Sequence, residues 1–344
     1  MPYSNIDKPS KYFNTVLYTG NNIDNTSITG VGFKPDWVWL KARNQADYHY
    51  SMDSVRGALK ALFQNSNDSE STFADSLKSF DTDGFTLGTS GDLNASSQTM
   101  VAWNWLGANT TVSNTSGTIT STVSANTTSG FSIVAYQGTS VAGTIGHGLG
   151  VAPKMIIIKR RTAFAEDWLV YHSTLGATKN LKLNTTAGEA TSSSPFNNTA
   201  PTSTVFSVES DGTTNSSSST YIAYCFAEVK GFSKFGSYVG NGSTDGTFIY
   251  TGFKPAFVMV KASSTTGQWA MCDTKRGVAP SGEFLFAESN EATNSAPANW
   301  DFVSNGLKAR ANYAAHITSG VTYIYMAFAE NPFVSSKSIP TTAR

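Results

Sequence analysis

The sequence predicts an all-β protein of three tandem antiparallel β-sandwich or jelly-roll-like repeats, and three observations carry that reading. The phrase "GFKPDWVWLK" (32–41) returns as "GVAPKMIIIK" (150–159) and as "GFKPAFVMVK" (252–261). Landmarks around it return at near-constant spacing, so internal repetition has to be read before any chemistry. Charged residues make up only 14% of the 344 residues, against roughly 25% in ordinary globular chains. Their place is taken by Ser, Thr, Asn and Gly, a composition that suits strands and hairpin turns.

The landmarks run in a fixed order. A Tyr-x-Gly comes first, at Tyr18–Gly20, Tyr136–Gly138 and Tyr238–Gly240, and the phrase's proline follows that glycine by 35−20, 153−138 and 255−240, which is 15 each time. Next come Asp53-Ser-Val-Arg56-Gly57, His172-Ser-Thr-Leu175-Gly176 and Asp273-Thr-Lys-Arg276-Gly277. A closing aromatic segment completes each set: "MVAWNWLG" (100–107), "YIAYCFAE" (221–228) and "YIYMAFAE" (323–330). These landmarks place a first repeat with an N-terminal arm at 1–108. A second, with a linker or added strand, spans 109–230, and a third with a C-terminal arm spans 231–344.

Within each repeat the phrase is a strand entered just after a proline, where the missing N–H is tolerated. In "DWVWLK", Trp37 and Trp39 share one face and Val38 and Leu40 the other, so both faces are apolar and the strand is expected to be central. Asp83-Gly84, Asp211-Gly212 and Asn305-Gly306 read as hairpin turns. "DSVRGALKALF" (53–63) is the one stretch with a helical stripe, through Val55, Leu59 and Leu62, and is expected to give one or two turns. The stretch 107–130 has linker composition but alternates through Thr118, Ile119, Thr120 and Val123, which predicts part of an added strand.

Formal net charge is zero, with 24 basic and 24 acidic residues. No basic field exists to gather phosphates, so no nucleic-acid partner is expected. No apolar run reaches the length of a membrane span, so no membrane insertion is expected. The N-terminus shows neither a charged n-region nor an apolar h-region, and no signal peptide is expected. Cys225 and Cys272 sit among apolar neighbours and read as buried free thiols.

The Asp53/Arg56 and Asp273/Arg276 pairs read as short-range ion pairs before a glycine rather than as poised carboxylates, because the middle copy has His172 and Leu175 instead. Asp81 and Asp83 stand where paired acids could serve a glycosidase or open a calcium loop. The other copies keep only the turn, and no further oxygen ligands follow at calcium-loop spacing. His49, His147, His172 and His316 lack metal-ligand spacing. No nucleophile elbow or phosphate loop occurs. The expectation is therefore no enzyme, no cofactor and no metal. Trp37, Trp39, Trp103 and Trp105 read as core. Trp168, Trp269 and Trp300 lie in more polar company and are the candidates for stacking on a glycan.

The strings "GFSIVAYQGTSVAGTIGHGLGVAPKMIIIKRR" (130–161), "GFKPDWVWLKAR", "SFDTDGFTLG" and "YIAYCFAEVKGFSKFGSYVGNG" resemble repeat domains in virion, tail-fibre-like proteins of marine bacteriophages, over nearly the whole chain. That resemblance implies a structural or adhesive virion component and carries no catalytic residue across. Analogy with phage fibres adds the expectation of a homotrimer. The expected function is a non-enzymatic tail-fibre or receptor-binding component on the virion surface, made in the host cytoplasm. Its expected partners are other virion proteins and a host cell-surface glycan. The alternative is a capsid decoration or head-fibre protein docked through "MPYSNIDKPSKYF" or "VSSKSIPTTAR". A polysaccharide depolymerase using Asp53, Asp81 or Asp83 ranks last.

Overall fold

The computed structural model describes residues 3–162, 164–277, 281–310 and 314–341, with backbone alone at 281–282 and 295–299. The protein is all-β, with antiparallel sheets, one 3-10 turn at Pro9–Lys11 and one single-turn α-helix at Gly212–Asn215 among the described residues.

The first main sheet orders its strands Phe13–Thr19, Thr99–Trp105, Trp37–Ala42, Tyr50–Asp53, Lys60–Phe63 and Ser71–Thr72. The second repeats that order with Phe131–Gln137, Thr220–Phe226, Met155–Arg160, Leu169–His172, Lys179–Lys182 and Ala190–Thr191, and adds Ser121–Asn126 and Val112–Asn114 outside the first of these. The third begins in the same way with Ser233–Val239, Thr322–Pro332, Phe253–Ala262, Trp269–Asp273 and Ser281–Phe286. It then continues without a break through Asn294–Val303, Gly306–Ala309 and Phe248–Tyr250. Smaller sheets face the first two. Thr26–Thr29, Gly84–Leu87 and Leu77–Asp81 cover the first, and Gly143–Gly146 with Val205–Val208 covers the second.

The recurrent phrase is the central strand of each main sheet, and its alternation explains why both faces are apolar. Val38 and Leu40 face the small sheet through a cluster with Met52, Phe85 and Leu87. Ile156 and Ile158 do the same in the second sheet, while Val258 and Val260 pack with Phe302 and Leu307 of the third sheet's own later strands. The opposite faces, Trp37 and Trp39, Met155 and Ile157, Phe257 and Met259, all enter one shared cluster with the closing-strand residues Trp103, Trp105, Tyr224, Phe226, Met326 and Phe328. Aromatic rings cross between sheets inside it. Trp37 stacks on Tyr224 at 4.2 Å between centroids, and Phe13 on Phe328 at 4.9 Å. Aromatic pairs of this kind add about 0.5–1.5 kcal/mol each beyond their buried area. The strands are thus buried twice, once within their own layer pair and once against their neighbours.

Two local expectations are corrected. Residues 53–63 are not helical. The Asp53 carboxylate accepts the N–H groups of Val55 and Arg56, Gly57 turns at φ +93°, and Lys60–Phe63 returns as a strand with Phe63 opposite Tyr50. A side chain that captures its own downstream N–H groups offers the backbone an alternative to the helix. Asp211-Gly212 is not a hairpin either, since Asp211 caps the Gly212–Asn215 helix by accepting Thr213 N–H. The Asp83-Gly84 and Asn305-Gly306 turns do join paired strands. The stretch between the first and second sheets supplies two added strands rather than a loose linker.

The N-terminal segment is folded onto the body rather than held out as a docking arm. Ile6 is buried in the shared cluster, and Tyr3 bonds Tyr250 and the Gly252 carbonyl. The Asp7 carboxylate accepts from Ser336, which ties the two termini together. The ends of both expected docking segments, Met1–Pro2 and residues 342–344, lie outside the described residues.

Candidate functional site

The residues with chemical capacity gather where the main sheets meet. Asp53 lies at the end of its strand, opposite Trp37 in register, while His172 lies opposite Met155 and Asp273 opposite Phe257, so the three positions are equivalent. Trp103, Tyr224 and Met326 are equivalent in the same sense, opposite Trp39, Ile157 and Met259. Across the sheets Tyr224 donates to Asp53 at 2.7 Å and the Trp103 indole N–H donates to Asp273 at 3.0 Å. The His172 ring nitrogen Nε2 lies 3.3 Å from the Tyr325 carbonyl, next to Met326. First meets second, second meets third and third meets first.

Each aspartate is held by its own arginine. Arg56 Nε binds Asp53 at 2.5 Å and Arg276 Nε binds Asp273 at 2.6 Å, with all four side chains closed to solvent. Arg56 also donates to the Ser51 carbonyl, and Arg276 to that of Met271. An isolated charge at such depth would be prohibitively costly, so the carboxylate, the guanidinium and the neighbouring donor form one interdependent set.

A second set stands one layer further along the shared cluster. Lys41, Lys159 and Lys261 end the recurrent strand phrase and are fully buried. Lys159 donates to the carbonyls of Glu166 and of Asn67 in the first sheet's loop. Lys261 donates to Gly267 and to Thr186 from the second, and Lys41 to Ala42 and Gln45. Burial pushes each of the three amines down to about 8. Beside them, main-chain bonds close all three junctions: Glu70 N–H to Arg161, Glu189 N–H to Ser263 and Thr293 N–H to Arg43.

The expected glycan-stacking residues are corrected by their burial. Trp168, Trp269 and Trp300 are 0–1% exposed, so no indole face is open to a sugar. Trp168 donates to the Phe63 carbonyl and Trp269 to that of Lys182, each reaching the preceding sheet. The equivalent place in the first sheet holds His49, whose Nδ1 accepts the Trp39 indole N–H. Trp300 packs on His316 with centroids 4.6 Å apart. Their polar neighbours in sequence misled because one indole edge needs a hydrogen-bond acceptor even in a core.

The remaining candidates are also spent on structure. Asp81 accepts from Ser79 and Thr86 within its hairpin, and Asp83 accepts the N–H groups of Gly30 and Gly32. His147 Nε2 lies 3.1 Å from the Thr202 carbonyl, and burial lowers its pKa. Burial raises the thiols of Cys225 and Cys272, away from the reactive thiolate. Sequence reasoning missed the lysines, although their signal was present: one basic residue recurs at the same place in an otherwise apolar phrase.

Fold and site together define an all-β protein whose ionisable side chains serve as internal ties between sheets. One family model, described as a domain of unknown function (DUF7483), matches residues 8–332, and the chain belongs to that family. The match runs across all three main sheets as one unit. No curated protein and no solved structure matches the chain.

Proposed function

We propose that the chain is a non-enzymatic structural protein built from three copies of one all-β unit, residues 1–108, 109–230 and 231–344, closed into a ring about their shared core. In this reading it serves on the surface of a bacteriophage particle as a tail-fibre or receptor-binding component, and the particle assignment rests on the sequence resemblance. The observation that carries the non-enzymatic part is the fate of the polar groups. Asp53, Asp273, His172, Lys159 and Lys261 are each bound into a junction between sheets, and Lys41 is fully buried on the carbonyls of Ala42 and Gln45, so a substrate has no path to them.

The ring supplies within one chain the threefold arrangement that fibre proteins make from three chains. The proposal therefore takes the single chain as the assembly unit in place of the homotrimer expected by analogy. Light scattering tests this directly. A mass near 36.7 kDa is expected, and a stable trimer would overturn it. A host-glycan contact, in this reading, falls to aromatic rings that are exposed. Tyr48 is one, at a depression of about 480 Å³ shared with Asn65, Gln268 and Glu291.

Immunogold labelling of intact particles tests the placement. Label at the tail is the expected result. Label over the head would favour the decoration reading, and particles without label would remove both.

A further inference from the structure

Each copy has a short strand built around one buried isoleucine, and the third copy departs from the other two on that strand's outer face. Ile28 stands opposite Phe85, Ile145 opposite Phe206 and Ile249 opposite Leu307, so the three strands are in equivalent register. The residues on either side of the isoleucine point to the opposite face. They are Ser27 and Thr29 in the first copy, Thr144 and Gly146 in the second, and Phe248 and Tyr250 in the third. The fold therefore asks for no aromatic ring at these places. Phe248 and Tyr250 are nevertheless 45% and 54% exposed, so two large rings are held out toward water.

The two rings form a shelf. They occupy alternate positions, about 7 Å apart along the strand. Gly306 lies opposite Tyr250, and the tip of the Phe248 ring comes within 3.0 Å of where a Cβ on Gly306 would stand. The bare glycine thus lets the Phe248 ring lie across the ladder toward Tyr250 instead of standing off the sheet. Polar groups border both rings. Lys308 is opposite Phe248 and pairs with Asp245 at 2.6 Å. The Tyr250 hydroxyl lies 3.0 Å from that of Tyr3, and Lys230 sits over the Tyr3 ring. A cavity of about 210 Å³ continues from Tyr250 between Tyr3, Lys230 and Lys234.

We propose that Phe248 and Tyr250 are a binding shelf for a neutral pyranose chain, whose C–H faces stack on the two rings while its hydroxyls meet Lys308, Asp245 and Tyr3. This rests on the host-glycan contact proposed above and gives that contact a place. A pyranose has an apolar face and a polar edge, which is the pattern the shelf presents: a ring for the one and a hydrogen-bonding border for the other. A protein partner fits less well. Stable protein interfaces bury about 800 Å² on each side around a centre depleted of charge, and here Lys308 and Asp245 stand directly against the rings. An anionic chain also fits less well, because Lys308, Arg310 and Lys234 already have the carboxylates of Asp245, Asp301 and Glu228 as partners.

The test applies the whole protein, labelled and displayed multivalently, to a printed array of defined pyranose oligosaccharides, neutral and uronate. Binding to at least one neutral chain is expected. Phe248→Thr and Tyr250→Thr install residue types that the other copies carry at these places, so the fold should be kept. Each should weaken binding about tenfold, the loss of one stacked ring, while Tyr250→Phe keeps the ring and most of the binding. Titrating the bound chain into the unaltered protein should shift the aromatic NMR signals of Phe248 and Tyr250, a readout that does not depend on whether a variant folds. Undiminished binding by the double variant Phe248→Thr/Tyr250→Thr, or binding to uronate chains alone, would overturn the proposal. Binding lost in Tyr48→Ala but kept in that double variant would overturn the shelf and leave the host-glycan contact standing at Tyr48. Binding to no chain on the array would remove the shelf and the host-glycan contact together.

Discussion

The junction between the first and second sheets and the junction between the second and third solve the same problem in different ways. At the first, Tyr224 brings a hydroxyl into the shared core and finds Asp53, itself held by Arg56. At the second, the equivalent of Tyr224 is Met326, which has no donor, and the equivalent of the aspartate–arginine pair is His172 with Leu175. The third junction, Trp103 with Asp273 and Arg276, follows the first. The charged pair is present where the facing side chain donates a hydrogen bond and absent where it does not. An acceptor that also needs neutralising therefore goes with the donor it faces.

Among single substitutions, removing the carboxylate should give the largest effect. Asp53→Asn leaves the buried Arg56 guanidinium with only Glu70, 3.2 Å away, as counter-charge and is expected to cost about 3 kcal/mol. His172→Gln should cost about 1 kcal/mol, the size of one neutral hydrogen bond. Urea unfolding followed by tryptophan fluorescence measures both, and equal losses would break the comparison. The triple change Asp53→His, Arg56→Leu and Tyr224→Met imports the second junction's set into the first. It should be more stable than Asp53→Asn alone, since a buried ion pair replaced as a whole by apolar groups is often near neutral.

The lysine layer gives the next effect, and all three main sheets share it. Folded-state values near 8 lie below the unfolded 10.5. Below pH 8 both states are protonated and the cost of the buried charge is fully present. As pH rises through 8 the folded state releases its protons first, so stability increases. Charged neighbours are Asp47 and Arg276 for Lys41, Asp167, Asp68, Glu166 and Arg160 for Lys159, and Glu288 for Lys261. Glu288, which burial pushes up to about 7, opposes the trend weakly over the same range. Stability should rise by about 3–4 kcal/mol between pH 7 and 9, and Lys159→Met should remove about a third of that slope. A flat profile would mean that the amines stay charged in the fold.

Much of the fold was legible because strand alternation and the repeated landmarks are properties of the chain itself. The central strand of each main sheet could be read from its proline and its two apolar faces. What those faces met could not be read. A residue turned toward a second layer and a residue turned toward another sheet look alike in sequence, so Trp168 and Trp269 stood as candidates for glycan stacking. The false helix at 53–63 has a local cause, since its Val55–Leu59–Leu62 stripe is outweighed by Asp53 capturing two N–H groups. The loss of Asp and Arg in the middle copy was visible, and it favoured an ion pair over a repeated catalytic pair. Its reason was not visible, because each facing residue is remote in sequence: Tyr325 lies 153 positions from His172, and Tyr224 lies 171 positions from Asp53.

That distant pairing can be isolated from the rest of the junction, and it gives the smallest of the expected effects. Tyr224→Phe removes one hydroxyl that Asp53 accepts and that also lies 3.2 Å from Ser51. Alone it should cost about 1–2 kcal/mol, because Asp53 keeps Arg56 but loses a buried donor. Combined with Asp53→Asn in a double-mutant cycle, it should show a coupling of about 0.5–2 kcal/mol. Met326→Leu with His172→Gln should show a coupling near zero, because Met326 offers no donor. Similar coupling in both cycles would mean that packing in the shared core joins the sheets at these points. The match between donor and acceptor would then be incidental to how the ring holds together.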